Sequence, residues 1–362
     1  MDAFEKTKKD SQRLPPISEG AINSFCHSLP RLIFLVNQKF EVDNRFCCGK
    51  PLEAQMDMLR NSHKNFGDTL AAVYRFHIYD ALVDEFAWLV STLHYRGFDR
   101  EYFEKMLDAW IIAIHGTIEP SFSNQLTQPL SFLKHNQHIF LQHAEIPTEI
   151  LSEAQKEFVN LLLEKRRRDS AELIMSQVEK GSRPDDLCNT LIMPALKLIG
   201  LWWQKNEINV TDEHAATLIC RYIIFRLCDS ISRKNVLAYK ALVSCVPGEE
   251  HELGAEMLSS HLESEGWTVY FVGHGAPEKD NIAAIRKLKP DVVFLTTTLV
   301  SNLPQTVEFS KKLRETTPEV KIILGGHASV LAARKIQMFA DAVIEDYREA
   351  HPTAKRLLSR NA

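Results

Sequence analysis

The segment GEEHELG at 248–254 sets one histidine among carboxylates, directly after the apolar run ALVSCV. An imidazole is a metal ligand or a general base. A carboxylate two residues away can hold one ring nitrogen protonated and leave the other as the donor. His251 is the candidate ligand or base, Glu249 its partner, and Gly254 lets the next helix approach a bulky group closely. Thr296-Thr297-Thr298 and Gly325-Gly326 end two other apolar runs, DVVFL and VKIIL, while Gly273 ends WTVYFV. Upstream stand Trp203, Glu213 and His214, an aromatic and a polar pair able to close over a ligand. Backbone approach at several glycines suits a large flat group or a long tail. A GxGxxG fingerprint after the first strand is absent, which argues against NAD or FAD in the usual dinucleotide mode.

These residues need elements to hold them. Runs at 239–246, 267–273, 291–297, 320–326 and 341–344 are short, apolar and strand-like, and helical patterns separate them. That alternation predicts a parallel sheet covered on both faces, with ligands beyond the carboxyl ends of its strands. His251, Thr296–Thr298 and Gly325-Gly326 all fall at those ends. Residues 151–235 predict a four-helix cap bundle, 18–150 a mainly helical sensory domain, and 1–17 a flexible tail. The stretch LPRLIFLVNQKFEVDN is compatible with a strand or a short buried helix. The expected fold is multidomain α and α/β: a helical N-terminal domain, the cap, and a five-stranded Rossmann-like domain over 236–362. The likeliest linker by composition is AEIPTEI at 144–150.

Composition narrows the class. Among 362 residues, 43 Lys and Arg against 47 Asp and Glu give a net charge of −4, so bulk charge does not favour nucleic acid. KRRR at 165–168 fits a solvated helix face. The seven cysteines contain no CxxC pair, which predicts free thiols in a reducing compartment. With no apolar stretch after the N-terminal charges and no run long enough to span a bilayer, a cytoplasmic protein away from membranes is expected.

Taken together, residues 151–362 resemble the cobalamin-binding module of corrinoid proteins, methionine synthase and cobalamin-dependent photoreceptors. That family carries an Asp-x-His-x-x-Gly loop, matched here by Glu249-Glu250-His251-Glu252-Leu253-Gly254 with Glu for Asp. Its Ser-x-Leu segment corresponds to Thr296-Thr297-Thr298, its Gly-Gly to Gly325-Gly326, and its Gly-x-x-x-Pro to Gly273 through Pro277. Its cap pattern corresponds to PALKLIG at 194–200, Trp203, Val210, Glu213 and His214. The resemblance implies His251 as lower axial ligand of cobalt, oriented by Glu249. It implies a nucleotide tail beside Thr296, Thr298, Gly325 and Gly326, and a cap of Trp203, Glu213 and His214 over the upper face. Light-sensing members carry a second histidine after the capping Trp; this chain has Gln204.

The function so implied is a light sensor and regulator, not an enzyme, holding adenosylcobalamin or another cobalamin. Photolysis of the Co–C bond would change cap packing and signal to a downstream protein or through a homodimer. The alternatives are a corrinoid carrier for methyl transfer, and a degenerate module that binds haem or acts only by protein contact. His77, Tyr79, Trp88, His94, Tyr95, Tyr102, Trp110 and His115 suggest a pocket for a second tetrapyrrole, biliverdin or haem; the plainer alternative is an aromatic core. Cys47-Cys48 could attach a bilin. Residues 18–150 lack a helix-turn-helix pattern, so no direct DNA binding is expected.

Overall fold

The computed structural model describes residues 2–46, 53–144, 152–230 and 236–359. The chain divides into two compact units, Met1–Ile146 and Pro147–Ala362. Cys47, Cys48 and most of the expected linker lie outside the described residues.

Unit 1 is helical: α1 (Ala3–Ser11), α2 (Glu19–Phe46), α3 (Glu53–Phe76), α4 (Tyr79–His94), α5 (Arg100–Thr117), α6 (Pro120–His135) and α7 (Gln137–His143). Residues 3–11, expected within a flexible tail, form a helix capped by Asp2, whose side chain accepts the Glu5 N–H. Buried Phe4 stacks on His143 with centroids 3.8 Å apart, which anchors it. LPRLIFLVNQKFEVDN is helical throughout. Phe25, Leu32, Val36 and Phe40 fall on one buried face, while Phe34, 58% exposed, blurs the period and made the pattern ambiguous. Among the eight aromatic and His residues, burial favours the plainer alternative of an aromatic core. Trp110, Tyr102 and Tyr79 are buried, with Trp110 packed on Phe25 and Phe66, and Trp88 is 48% exposed. A Cβ at Gly67 would meet the Trp110 ring at 2.7 Å, so the centre of this unit is filled.

Unit 2 begins with the cap: α8 (Glu153–Leu163), α9 (Arg167–Glu179), α10 (Pro184–Leu187), a π-helical turn (Cys188–Ile192), α11 (Met193–Gln204) and α12 (Val210–Ser230). Ser152 and Gln155 form a capping box at α8. Phe158, Ile174, Ile192, Leu198, Ile219 and Ile223 make the cap's core.

The α/β half follows as β1 (Lys240–Cys245), α13 (Leu253–Ser264), β2 (Thr268–Gly273), α14 (Glu278–Leu288), β3 (Val292–Thr296), α15 (Leu303–Thr316), β4 (Lys321–Gly325), α16 (His327–Leu331), α17 (Ala333–Ile336), β5 (Ala342–Val343) and α18 (Ala350–Ser359). The sheet is parallel in the order β2-β1-β3-β4-β5. β3 is buried along its whole length, and β1 at all but its first residue, because helices cover both faces. The order in which strands are added reverses between β1 and β3, the switch point at which such sheets open a crevice. Register brings Cys245 opposite Thr296 and Thr296 opposite Gly325, so three strand ends share one rim.

Candidate functional site

At the switch point the loops after β1 and β3 are joined by one carboxylate. Glu249 is only 1% exposed, a costly place for a charge unless it is fully hydrogen-bonded. Its Oε2 accepts the N–H groups of Thr298 (2.8 Å) and Leu299 (3.0 Å) and the amide of Asn302 (3.1 Å). Its Oε1 accepts the N–H of His251 (3.0 Å) and the ring Nδ1–H (2.6 Å). Burial alone would raise its pKa, but the His251 ring and the N–H groups of Leu299, His251 and Thr298 hold it down to about 2.

The consequence falls on His251. With Nδ1 occupied, Nε2 carries the free lone pair, and the side chain is 56% exposed. The hydrogen bond to Glu249 raises its pKa; burial opposes this, and the charges of Glu249, Glu250 and Glu213 add to the rise. Glu213 belongs to cap helix α12, so the cap's field reaches the imidazole. A neutral imidazole held in one tautomer is the donor a transition metal takes.

Beside it lies a cavity of about 440 Å³, within the range for organic ligands. Its walls include His251, Gly254, Thr296, Thr298, Gly325 and Gly326, with Asn189, Met193 and Tyr347 closing the far side. A Cβ at Gly254 would meet nothing within 4 Å, so space is open there. Gly326 has φ +89, and a Cβ would collide with the Thr297 carbonyl oxygen at 2.5 Å; only glycine fits. Thr296 and Thr298 serve differently: the Thr296 hydroxyl meets Cys245 Sγ at 3.4 Å, whereas Thr298 contributes its backbone N–H to Glu249. The donor chemistry, the open space at Gly254 and the glycine-lined slot fit a corrinoid. Among the described residues no group of three or more His, Cys, Asp or Glu could hold a bare metal ion.

Four of the sequence candidates stand apart from this cavity. Gly273, with φ +71, faces the Glu252 carboxylate, which a Cβ would meet at 2.7 Å. Trp203 is half-buried on α11. Glu213 accepts from the Thr217 hydroxyl at 2.9 Å and pairs with His214 Nδ1 at 2.6 Å, and the His214 side chain is 73% exposed. Sequence reasoning missed Asn302, whose amide also reaches the Gly248 carbonyl at 3.3 Å, and Asn189, Met193 and Tyr347. It also missed Arg221, although Glu252 and Glu256, like charges four residues apart, signal a cation between them. The expected free thiols are found at Cys26, Cys188, Cys220, Cys228 and Cys245. Among the described residues no helix is long and apolar enough to cross a membrane.

B12 binding domain families match residues 239–354 and 154–227. The HTH-type transcriptional repressor CarA of Myxococcus xanthus is 29% identical over 30% of this chain and 36% of its own length. CarH, an HTH-type transcriptional repressor of the same organism, is 24% identical over 43% of this chain and 52% of its own. Dimethylamine corrinoid protein 3 of Methanosarcina mazei is 28% identical over 32% of this chain and 69% of its own. The match thus spans only about a third of CarA and half of CarH. The monomethylamine corrinoid protein of Methanosarcina barkeri aligns over 57% of this chain and 98% of its own, at 17% identity and a TM-score of 0.48. These matches correct the expectation of no direct DNA binding, since two relatives are named HTH-type repressors. The charge argument failed because bulk charge says nothing about a local basic face, and DNA affinity depends on the local face. Residues 154–227 and 239–354 thus carry B12 binding domains, with both repressors and corrinoid carriers among the chain's relatives.

Proposed function

We propose that unit 2 holds a corrinoid through His251 and presents it to a partner protein, as a carrier in methyl transfer. Nε2 of His251 would hold the cobalt, with Glu249 fixing the tautomer of the ring and raising its basicity. Thr296, Thr298, Gly325 and Gly326 line the slot for the nucleotide tail. When bound, the cobalt supplies a metal–carbon bond that can be transferred or broken. This chain supplies the orientation of the imidazole, the exclusion of water from the slot, and the proton held at Nδ1. The observation that carries the proposal is the buried Glu249 joining the ligand loop to the loop after β3. The similarity to several dimethylamine corrinoid proteins supports the carrier role.

A second role, as a cobalamin-dependent light sensor and regulator, is favoured by one observation. Glu213 sits on cap helix α12 and its charge adds to the rise in the His251 pKa, so the cap and the ligand loop are linked electrostatically. The likeness to CarA and CarH supports it. A biliverdin or haem in unit 1 is not part of either role, because Trp110, Tyr102 and Tyr79 are core residues. The test is reconstitution with adenosylcobalamin and with methylcobalamin in the dark, followed by illumination. A carrier binds both, and its oligomeric state is unchanged by light. A sensor changes its spectrum and its assembly irreversibly on illumination of the adenosyl form. Failure to take up any corrinoid would overturn both.

A further inference from the structure

We propose that Arg221 is a positioning residue for His251: its guanidinium registers cap helix α12 on the loop that carries the imidazole, so that the cap's position and the reach of His251 move together. The proposal rests on the corrinoid site above. The Arg221 side chain forks between two carboxylates, with Nη1 2.6 Å from Glu252 Oε1 and Nη2 on Glu256 Oε1. Glu252 directly follows His251 in the chain and starts α13. Its Oε2 also accepts the His274 N–H at 3.2 Å, and Gly273 lacks the Cβ that would collide with it. One carboxylate therefore joins three segments: the cap, the ligand loop and the loop after β2.

One further contact points the same way. Met257 of α13 is buried in the cap's core, with Leu253 packed beside it, so the start of α13 belongs mechanically to the cap. A planar fork on two acids fixes orientation as well as distance, which a single lysine contact does not. A shift or rotation of α12 must either carry Glu252 with it or break this fork.

The test compares wild type with R221Q, R221K and E252Q. It measures the dissociation constant for hydroxocobalamin and, in the cob(II)alamin form, the nitrogen splitting of the electron paramagnetic resonance spectrum. The splitting reports an axial imidazole and would not move if Arg221 only stabilised the fold. R221Q should bind about tenfold more weakly with a reduced nitrogen-split fraction, and R221K should recover part of both. R221Q with wild-type affinity and splitting overturns the proposal. Should R221Q not fold, E252Q decides in the same way. A wild type that takes up no corrinoid overturns the site itself, and the inference falls with it.

Discussion

Glu249 concentrates the residue-scale chemistry, because one buried carboxylate receives five donors and sets the tautomer of His251. Glu249→Gln keeps the shape but places an amide NH₂ against N–H donors. Corrinoid affinity should fall about 10–100-fold, measured by spectroscopic titration. Glu249→Asp should fall less, since the charge remains and only reach is lost. Gly326→Ala combines a left-handed φ with a Cβ on the Thr297 carbonyl, and should cost about 1–3 kcal/mol or more in urea unfolding. His251 and Glu249 were legible in the sequence because the donor and its acid are two residues apart. Asn302 and Arg221 were not, because their partners lie far along the chain and no local pattern encodes them.

At the scale of elements, unit 1 contains two titrating groups, buried His63 and half-buried Glu85, that work against each other. His63 on α3 is buried between Asn37 of α2 and Tyr102 of α5, at 2.7 and 3.1 Å, and burial lowers its pKa to about 4. Its stabilising contribution is present above the unfolded value of 6.5 and is lost as pH falls through about 4. Glu85 on α4 is raised to about 7, first by burial and then by Asp84. Its contribution is full below 4.5 and is lost as pH rises through about 7. The two slopes oppose each other between about pH 4.5 and 6.5, and each amounts to roughly 3 kcal/mol at most. Glu85→Gln should therefore stabilise unit 1 at pH 8 and expose a loss of stability on acidification. Thermal melts of the variant from pH 4.5 to 8 check this, and a profile parallel to wild type would contradict it. The elements differed in how far the sequence revealed them. β1 and β3 were plain because strands buried on both faces are apolar throughout, whereas α2 was obscured by exposed Phe34 on its outer face.

At the scale of the whole molecule, two units with separate cores predict two calorimetric transitions. Cobalamin should raise only the transition of unit 2, by about 2.7 kcal/mol at a free concentration a hundred times the dissociation constant. A single transition shifted as one would contradict independent units. The sheet order was within reach of the sequence, since alternating strands and helices leave few right-handed topologies. The aromatics of unit 1 left a pocket and a core both open in the sequence, because rings that fill a core and rings that line a cavity have the same pattern; Trp110, Tyr102 and Tyr79 are buried.

The central proposal is that the Nε2 atom of His251 would be the protein's donor to cobalt. The most direct measurement is the electron paramagnetic resonance spectrum of the cob(II)alamin-loaded protein, prepared with natural and with ¹⁵N-labelled histidine. The high-field lines should show nitrogen splitting that changes multiplicity with the label and vanishes in His251→Ala. Splitting that ignores the label, or that survives the loss of His251, would contradict it.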